Sequence, residues 1–228
     1  MTGTDWLLNL CVPTLRVADI SFNTAQILQV LKEISLSSGR KQLCLFPQLA
    51  LSGSTCGDLF FQPLLAQASL QALEIIENAI ANTNLSVVIG LPFLLENQLY
   101  DAVGVIESQG LRGFILNQEP EHRYFQVPHD GTPSKITWKG HPVEIFEQGH
   151  LNVPSLGVEQ VHFLIGKLPD GRLPADQELI LNPTALPVLA DSIYDLVFQG
   201  FSNQNKGLLA VCSAGAAEST GEEVFSGL

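Results

Sequence analysis

Four cysteines, five histidines and one strand-end glutamine are the residues of this chain whose types could serve chemistry. Cys11, Cys44, Cys56 and Cys212 could act as nucleophiles or metal ligands. Cys11 and Cys44, however, lie inside apolar, strand-like runs where a reduced, buried thiol is expected. Cys212 sits in the apolar run GLLAVCSAG and reads as core. There is no CxxC pair and no Cys/His spacing of a zinc site. His122, His129, His141 and His150 fall in loop-like stretches without helical i,i+4 pairing, and His162 alternates outward from Val161 and Phe163 to meet a sheet neighbour. No metal and no cofactor is therefore expected. Gln48 is of another kind. In QLCLFPQLALSG, residues 42–53, an apolar strand stops at Pro47 and then presents this glutamine, as strand ends do when they deliver a side chain to a pocket. A carboxamide can donate and accept hydrogen bonds there, but it has no basicity at neutral pH.

The elements that must carry these residues can be read from hydrophobic spacing. Trp6 to Leu15 alternates weakly and predicts a first strand. Ser21 is the expected cap of a helix whose face is Ala25, Ile27, Leu28, Leu31 and Ile34, ended by Gly39. Leu43 to Phe46 is a second strand, followed by a turn through Gly53, Ser54 and Gly57. Pro63 opens a longer helix, where its missing N–H costs little, with Leu65, Leu73, Ile76 and Ile80 on one stripe and Glu74 and Glu77 off it. SVVIGLP (86–92) is a continuous apolar run of buried-strand type. LYDAVGVIE and LRGFILN follow as a hairpin around Ser108, Gln109 and Gly110. Gln118 to Gly140 shows no periodicity. VEIF (143–146), LNV (151–153), VHFLIG (161–166), ELILNPTA (178–185) and GLLAVCSAG read as strands. Asp191 to Phe201 reads as a helix, and EEVFSGL begins a final strand. With no repeat and no linker, residues 1–228 are expected to form one domain, an α/β mixed sheet layered with helices.

Composition bounds the function classes. The 228 residues are 46% hydrophobic and 15% charged, which favours a large core over disorder. A net charge of -12 with only 11 Lys and Arg argues against nucleic acid and against an anionic membrane surface. No basic n-region opens the chain and no apolar run approaches the roughly 18 residues of a bilayer span. A reducing, cytoplasmic setting is expected.

From LCLFPQLALSG…DLF onward the sequence resembles the carbon–nitrogen hydrolase (nitrilase) superfamily, and most of all the glutaminase domain that begins glutamine-dependent NAD synthetases. VVIGLP, LYDAVGVIE, RYF (123–125), ELILNPTALP and GLLAVCSAG follow in the same order, from about residue 6 to the end. The resemblance implies a four-layer αββα sandwich. The family pattern continues beyond VFSG, so the last strand or tail is expected to be missing from this stretch. The resemblance also implies a glutamate base, a lysine that steadies the oxyanion and a cysteine nucleophile. In their places stand Gln48, Asn117 and Gly166, the last followed by Lys167 instead of an acid. Asp101 replaces the asparagine of the family's LYNA stretch, and only Gln118 to His122 remain of a longer loop. The expected pocket comprises Gln48, Asp101, Asn117, Tyr124, Gly166, Lys167, Thr184 and Ala185.

Those departures imply a catalytically silent domain with a structural, regulatory or ligand-binding role. The alternative is a working glutamine amidohydrolase or amidase supplying ammonia for NAD synthesis, with Cys56 as a displaced nucleophile. A third reading is a sensor for a small ligand such as glutamine. No SGGxDS pyrophosphatase motif is present, so this chain alone is not expected to make NAD. The family implies self-association into a dimer or larger oligomer, with Ile193, Leu196, Val197 and Phe201 as a candidate contact surface, and a synthetase-type partner. Whether Leu228 precedes a synthetase domain stays open.

Overall fold

The structure is a computed structural model that describes residues 6–121, 123–146, 150–154, 157–166, 179–187, 191–204, 207–220 and 224–225. Among the described residues three α-helices, α1 (Ile20–Ser37), α2 (Pro63–Ile80) and α3 (Asp191–Gln204), accompany two sheets. The larger sheet holds β1 (Trp6–Leu10), β2 (Lys41–Leu45), β3 (Leu85–Leu95), β4 (Gln98–Glu107), β5 (Gly110–Leu116), β6 (Lys135–Trp138) and β7 (His141–Phe146), in the order β1-β2-β3-β4-β5-β7-β6. The smaller sheet holds β8 (His150–Val153), β9 (Val158–Phe163), β10 (Leu179–Thr184) and β11 (Leu208–Ser213), in the order β11-β10-β9-β8.

Side-chain alternation along the strands creates the layers, because successive residues of a strand point to opposite faces. On β2, Leu43 and Leu45 enter a core shared with Leu151, Val161, Leu179 and Cys212 of the smaller sheet. Cys44 and Phe46 turn the other way, to the core that contains Ile27 and Leu31 of α1 and Leu73 and Ile76 of α2. On β10, Leu179 and Leu181 face the larger sheet while Ile180 packs with Phe201 of α3. The layers are thus α1 and α2, larger sheet, smaller sheet, α3: an αββα sandwich.

The spacing-based expectations hold for α2, β3 to β5, β7 to β11 and α3, with four corrections. The first strand ends at Leu10 instead of Leu15, just before Pro13, which has no N–H to offer a ladder. The cap of α1 is Asp19, not Ser21: its Oδ1 accepts from Phe22 N at 3.0 Å, so the helix begins before Ser21 is reached. The aperiodic stretch contains β6, which pairs with β7 and turns Ile136 and Trp138 toward the helical core. Four residues carry too few alternations to register as a period. Val224 and Phe225 are not in a strand, and the rest of EEVFSGL apart from these two lies outside the described residues.

The turn that bears Gln48 is seated by Gly90. A Cβ at Gly90 would run into the backbone of Pro47, Gln48 and Leu49, so only a bare strand position lets the turn lie against β3. Leu51 N then donates to Gly90 O at 3.2 Å, and Phe46 N to Val88 O at 2.9 Å. Buried Asn23 fixes the other side, donating from Nδ2 to Arg16 O (2.9 Å) and Leu51 O (3.0 Å). Gly90→Ala is expected to lower unfolding free energy by about 2–3 kcal/mol, as overpacking against backbone does. Urea titrations of the two proteins measure it.

Candidate functional site

Gln48, Asn117 and Gly166 reach one cavity because the strands that end in them run the same way. Gln48 follows β2 and Asn117 follows β5. Beyond β9 the chain keeps its pairing with β10, Leu164 N donating to Leu181 O at 2.9 Å and Gly166 N to Pro183 O at 3.0 Å. Asp101, near the start of antiparallel β4, lies at the same end, and Asn117 N donates to its carbonyl at 2.9 Å. The cavity is about 180 Å³ in volume and is bordered by Gln48, Asn117, Gly166 and Ala185 together with Leu49, Ser54, Glu119, Glu121, Phe125 and Phe225. A larger apolar groove of about 490 Å³, between the starts of α1 and α2, shares none of these residues.

Asp101 is not among the residues bordering the cavity, but it orients two that are. Its Oδ2 accepts from Gln48 Nε2 and from Asn117 Nδ2, each at 2.6 Å, the short distances of bonds to a carboxylate. Among the described residues its Oδ1 has no hydrogen-bond partner, although Asp101 is only 1% exposed. Burial pushes the Asp101 carboxyl up to about 6, against the two amides, whose hydrogen bonds favour the ionised form. Asn117 Oδ1 meanwhile accepts from Glu119 N at 3.0 Å.

Gly166 has φ +68, a left-handed conformation that side chains rarely adopt. A Cβ built there would stand 2.5 Å from Gln48 Nε2 and 2.9 Å from its Oε1. The Gln48 amide therefore occupies the space into which any side chain at 166 would have to grow.

The remaining expected pocket residues divide. Ala185 borders the cavity. Tyr124 does not: its ring packs on Phe60 and Phe61, at centroid distances of 5.5 and 5.6 Å, because its apolar face finds an aromatic cluster there. Thr184 is fully buried in β10, its hydroxyl without a partner among the described residues, and is not among the residues bordering the cavity. Lys167 and His122 lie outside the described residues. Cys56 is buried, its Sγ turned to Ser52 O and Gly53 O, and burial raises its thiol to about 11. Cys11, Cys44 and Cys212 are buried as expected. Ser54, Glu119, Glu121, Phe125 and Phe225 were not foreseen at the cavity. Glu218 was also missed: it ties the distant chain end to the turn, its Oε2 accepting from Ser54 N (2.5 Å) and Ser54 Oγ (2.9 Å). Burial raises its carboxyl, the bonds from Ser54 pulling the other way.

No family model matches the chain. A glutamine-dependent NAD(+) synthetase from Aquifex aeolicus is 32% identical over 190 residues, 79% of this chain and 30% of the synthetase. A solved glutamine-dependent NAD(+) synthetase from Cytophaga hutchinsonii superposes with a TM-score of 0.69 at 20% identity, over 83% of this chain and 32% of that one. An amidase from Nesterenkonia sp. AN1, solved after acrylamide addition at its active site cysteine, gives a TM-score of 0.69 at 20% identity over 96% of this chain and 81% of its own. The chain has the carbon–nitrogen hydrolase fold. Within that fold it stands close to the glutaminase domain of glutamine-dependent NAD synthetase, and it spans about a third of the length of the synthetases it matches. Among the described residues no helix is long and apolar enough to cross a membrane.

In this carbon–nitrogen hydrolase-like chain the raised Asp101 carboxyl ties stability to pH. An aspartate held above its ordinary value stabilises the fold below the unfolded-state pKa, and that contribution is lost as pH rises through about 6. Asp101→Asn keeps an acceptor for both amides and removes the buried charge. Relative to the parent, the variant should gain roughly 2 kcal/mol of unfolding free energy between pH 4 and pH 7. Urea titrations at both pH values measure the difference; a constant offset is the contrary result.

Proposed function

We propose that this carbon–nitrogen hydrolase-like domain is catalytically silent and serves as a structural, regulatory or ligand-binding unit. One observation carries the reading: the Gln48 amide fills the space that a side chain at Gly166 would need. In the family pattern those two positions belong to the base and the nucleophile, and a glutamine and a glycine can perform neither role. Asn117, at the position of the oxyanion lysine, is a neutral donor, one N–H of which goes to Asp101. That the three positions meet at one cavity supports the motif-by-motif correspondence.

The relatives include synthetases and an amidase, so an active amidohydrolase is the second reading. Among the described residues the thiol near the turn is that of Cys56. A buried thiol raised to about 11 holds almost no thiolate at neutral pH, which weighs against that role. Self-association, a synthetase-type partner and a cytoplasmic setting belong to the same proposal. Leu196, 69% exposed on α3, is available for a contact surface, whereas Phe201 is taken up by the core.

Incubation with a glutamine-like electrophile, followed by intact-mass measurement, should leave the protein unmodified, with no ammonia released from glutamine. A single adduct mapped to Cys56 or to any other cysteine overturns the reading.

A further inference from the structure

Helix α2 carries more apolar surface than its own core uses. Its buried stripe runs through Leu65, Ala72, Leu73 and Ile76. Leu64, Ala68 and Ile75 follow a second line, at the spacings of 4 and 7 that keep side chains on one face of a helix, and Leu64 is 74% exposed. The apolar groove of about 490 Å³ between the starts of α1 and α2 lies at the N-terminal end of that line. It is bordered by Leu64, Leu65 and Ala68 of α2 and by Val17, Ile20 and Leu59. Next to it Phe61, 58% exposed, leans on Tyr124 at a centroid distance of 5.6 Å. Exposed apolar side chains gathered in one patch mark an interaction surface.

Charge and shape decide what fits there. Arg16 pairs at 3.8 Å with Asp19, which borders the groove, and Arg123 pairs at 2.7 Å with Asp58, the neighbour of groove-lining Leu59. The flanking charges therefore cancel. A basic partner, which a chain of net charge -12 attracts over the rest of its surface, gains nothing from this face, and neither does an anionic membrane. A second copy is repelled by that same net charge elsewhere, but here its two arginines and two aspartates meet the same balanced set. A two-fold interface must also present hollow and projection within one patch, since each copy offers the other an identical surface. This patch has both, the groove as the hollow and Leu64 and Phe61 as the projections. We propose that the chain forms a two-fold homodimer through the face between the starts of α1 and α2, each copy placing Leu64 and Phe61 against the other's groove. The inference rests on the self-association proposed above and gives it a surface, on the outer layer opposite to Leu196 of α3. It is independent of catalytic silence, which a cysteine adduct would remove without changing the oligomeric state.

Sedimentation velocity of the full chain over a wide range of concentrations tests the proposal. The parent is expected to show a reversible monomer–dimer equilibrium. Leu64→Glu, at an exposed position where folding is not at stake, should weaken dimerisation about tenfold or more, the scale of a charge placed in the centre of an apolar contact. Phe61→Ser, which adds no charge, should weaken it several-fold, and Leu196→Glu on α3 should leave it unchanged. Far-UV circular dichroism of each variant should match the parent. A parent that stays monomeric at every concentration overturns both this surface and the self-association. A dimer of unchanged affinity in both Leu64→Glu and Phe61→Ser, or one lost only in Leu196→Glu, keeps self-association and overturns this surface.

Discussion

One carboxylate oxygen sets the character of the cavity. Asp101 Oδ2 receives an N–H from Gln48 on the turn after β2 and another from Asn117 at the end of β5. Two side chains 69 positions apart in sequence are thereby locked with their nitrogens inward. A neutral asparagine could accept those bonds too, but it would bring no charge to the two amides. The arrangement is self-consistent only as a set: the Gln48 amide needs space at position 166, and glycine supplies it. A side chain at 166 would displace the amide and remove one of the two N–H donors to Asp101 Oδ2, and losing a hydrogen bond to a buried carboxylate is costly.

The scaffold makes that set possible through close backbone approach. Gly90 lets the Pro47–Leu49 turn rest on β3, and Asn23 and Glu218 tie the neighbouring loop to α1 and to the distant chain end. The site is built from loops, but each is anchored by a buried polar group with fixed partners. Its geometry therefore inherits the rigidity of the sandwich beneath it.

Much of the architecture was legible in the linear pattern. The apolar stripe Leu65, Leu73, Ile76 and Ile80 could only be one face of a helix, and the runs at 86–92 and 178–185 could only be buried strands. Pattern failed where signals were short or competed. KITW offers four residues of alternation and was passed over, and Asp19 outcompeted Ser21 as cap because a carboxylate two residues earlier reached the free N–H of Phe22. Gln48, Asn117, Gly166 and Asp101 were identifiable as departures from a motif order.

The sequence by itself determined the chemical inventory: an amide where a base would stand, a glycine where a nucleophile would stand, and an aspartate where the motif has a neutral residue. It determined the layering as well, because periodicity follows from local backbone geometry. Only the tertiary structure decided that Gln48 fills the volume over Gly166, that both amides turn their nitrogens to Asp101, and that Tyr124 belongs to an aromatic cluster instead of the cavity. Orientation of an amide, and the burial that raises a carboxyl, depend on neighbours distant in the chain, and no local pattern encodes them.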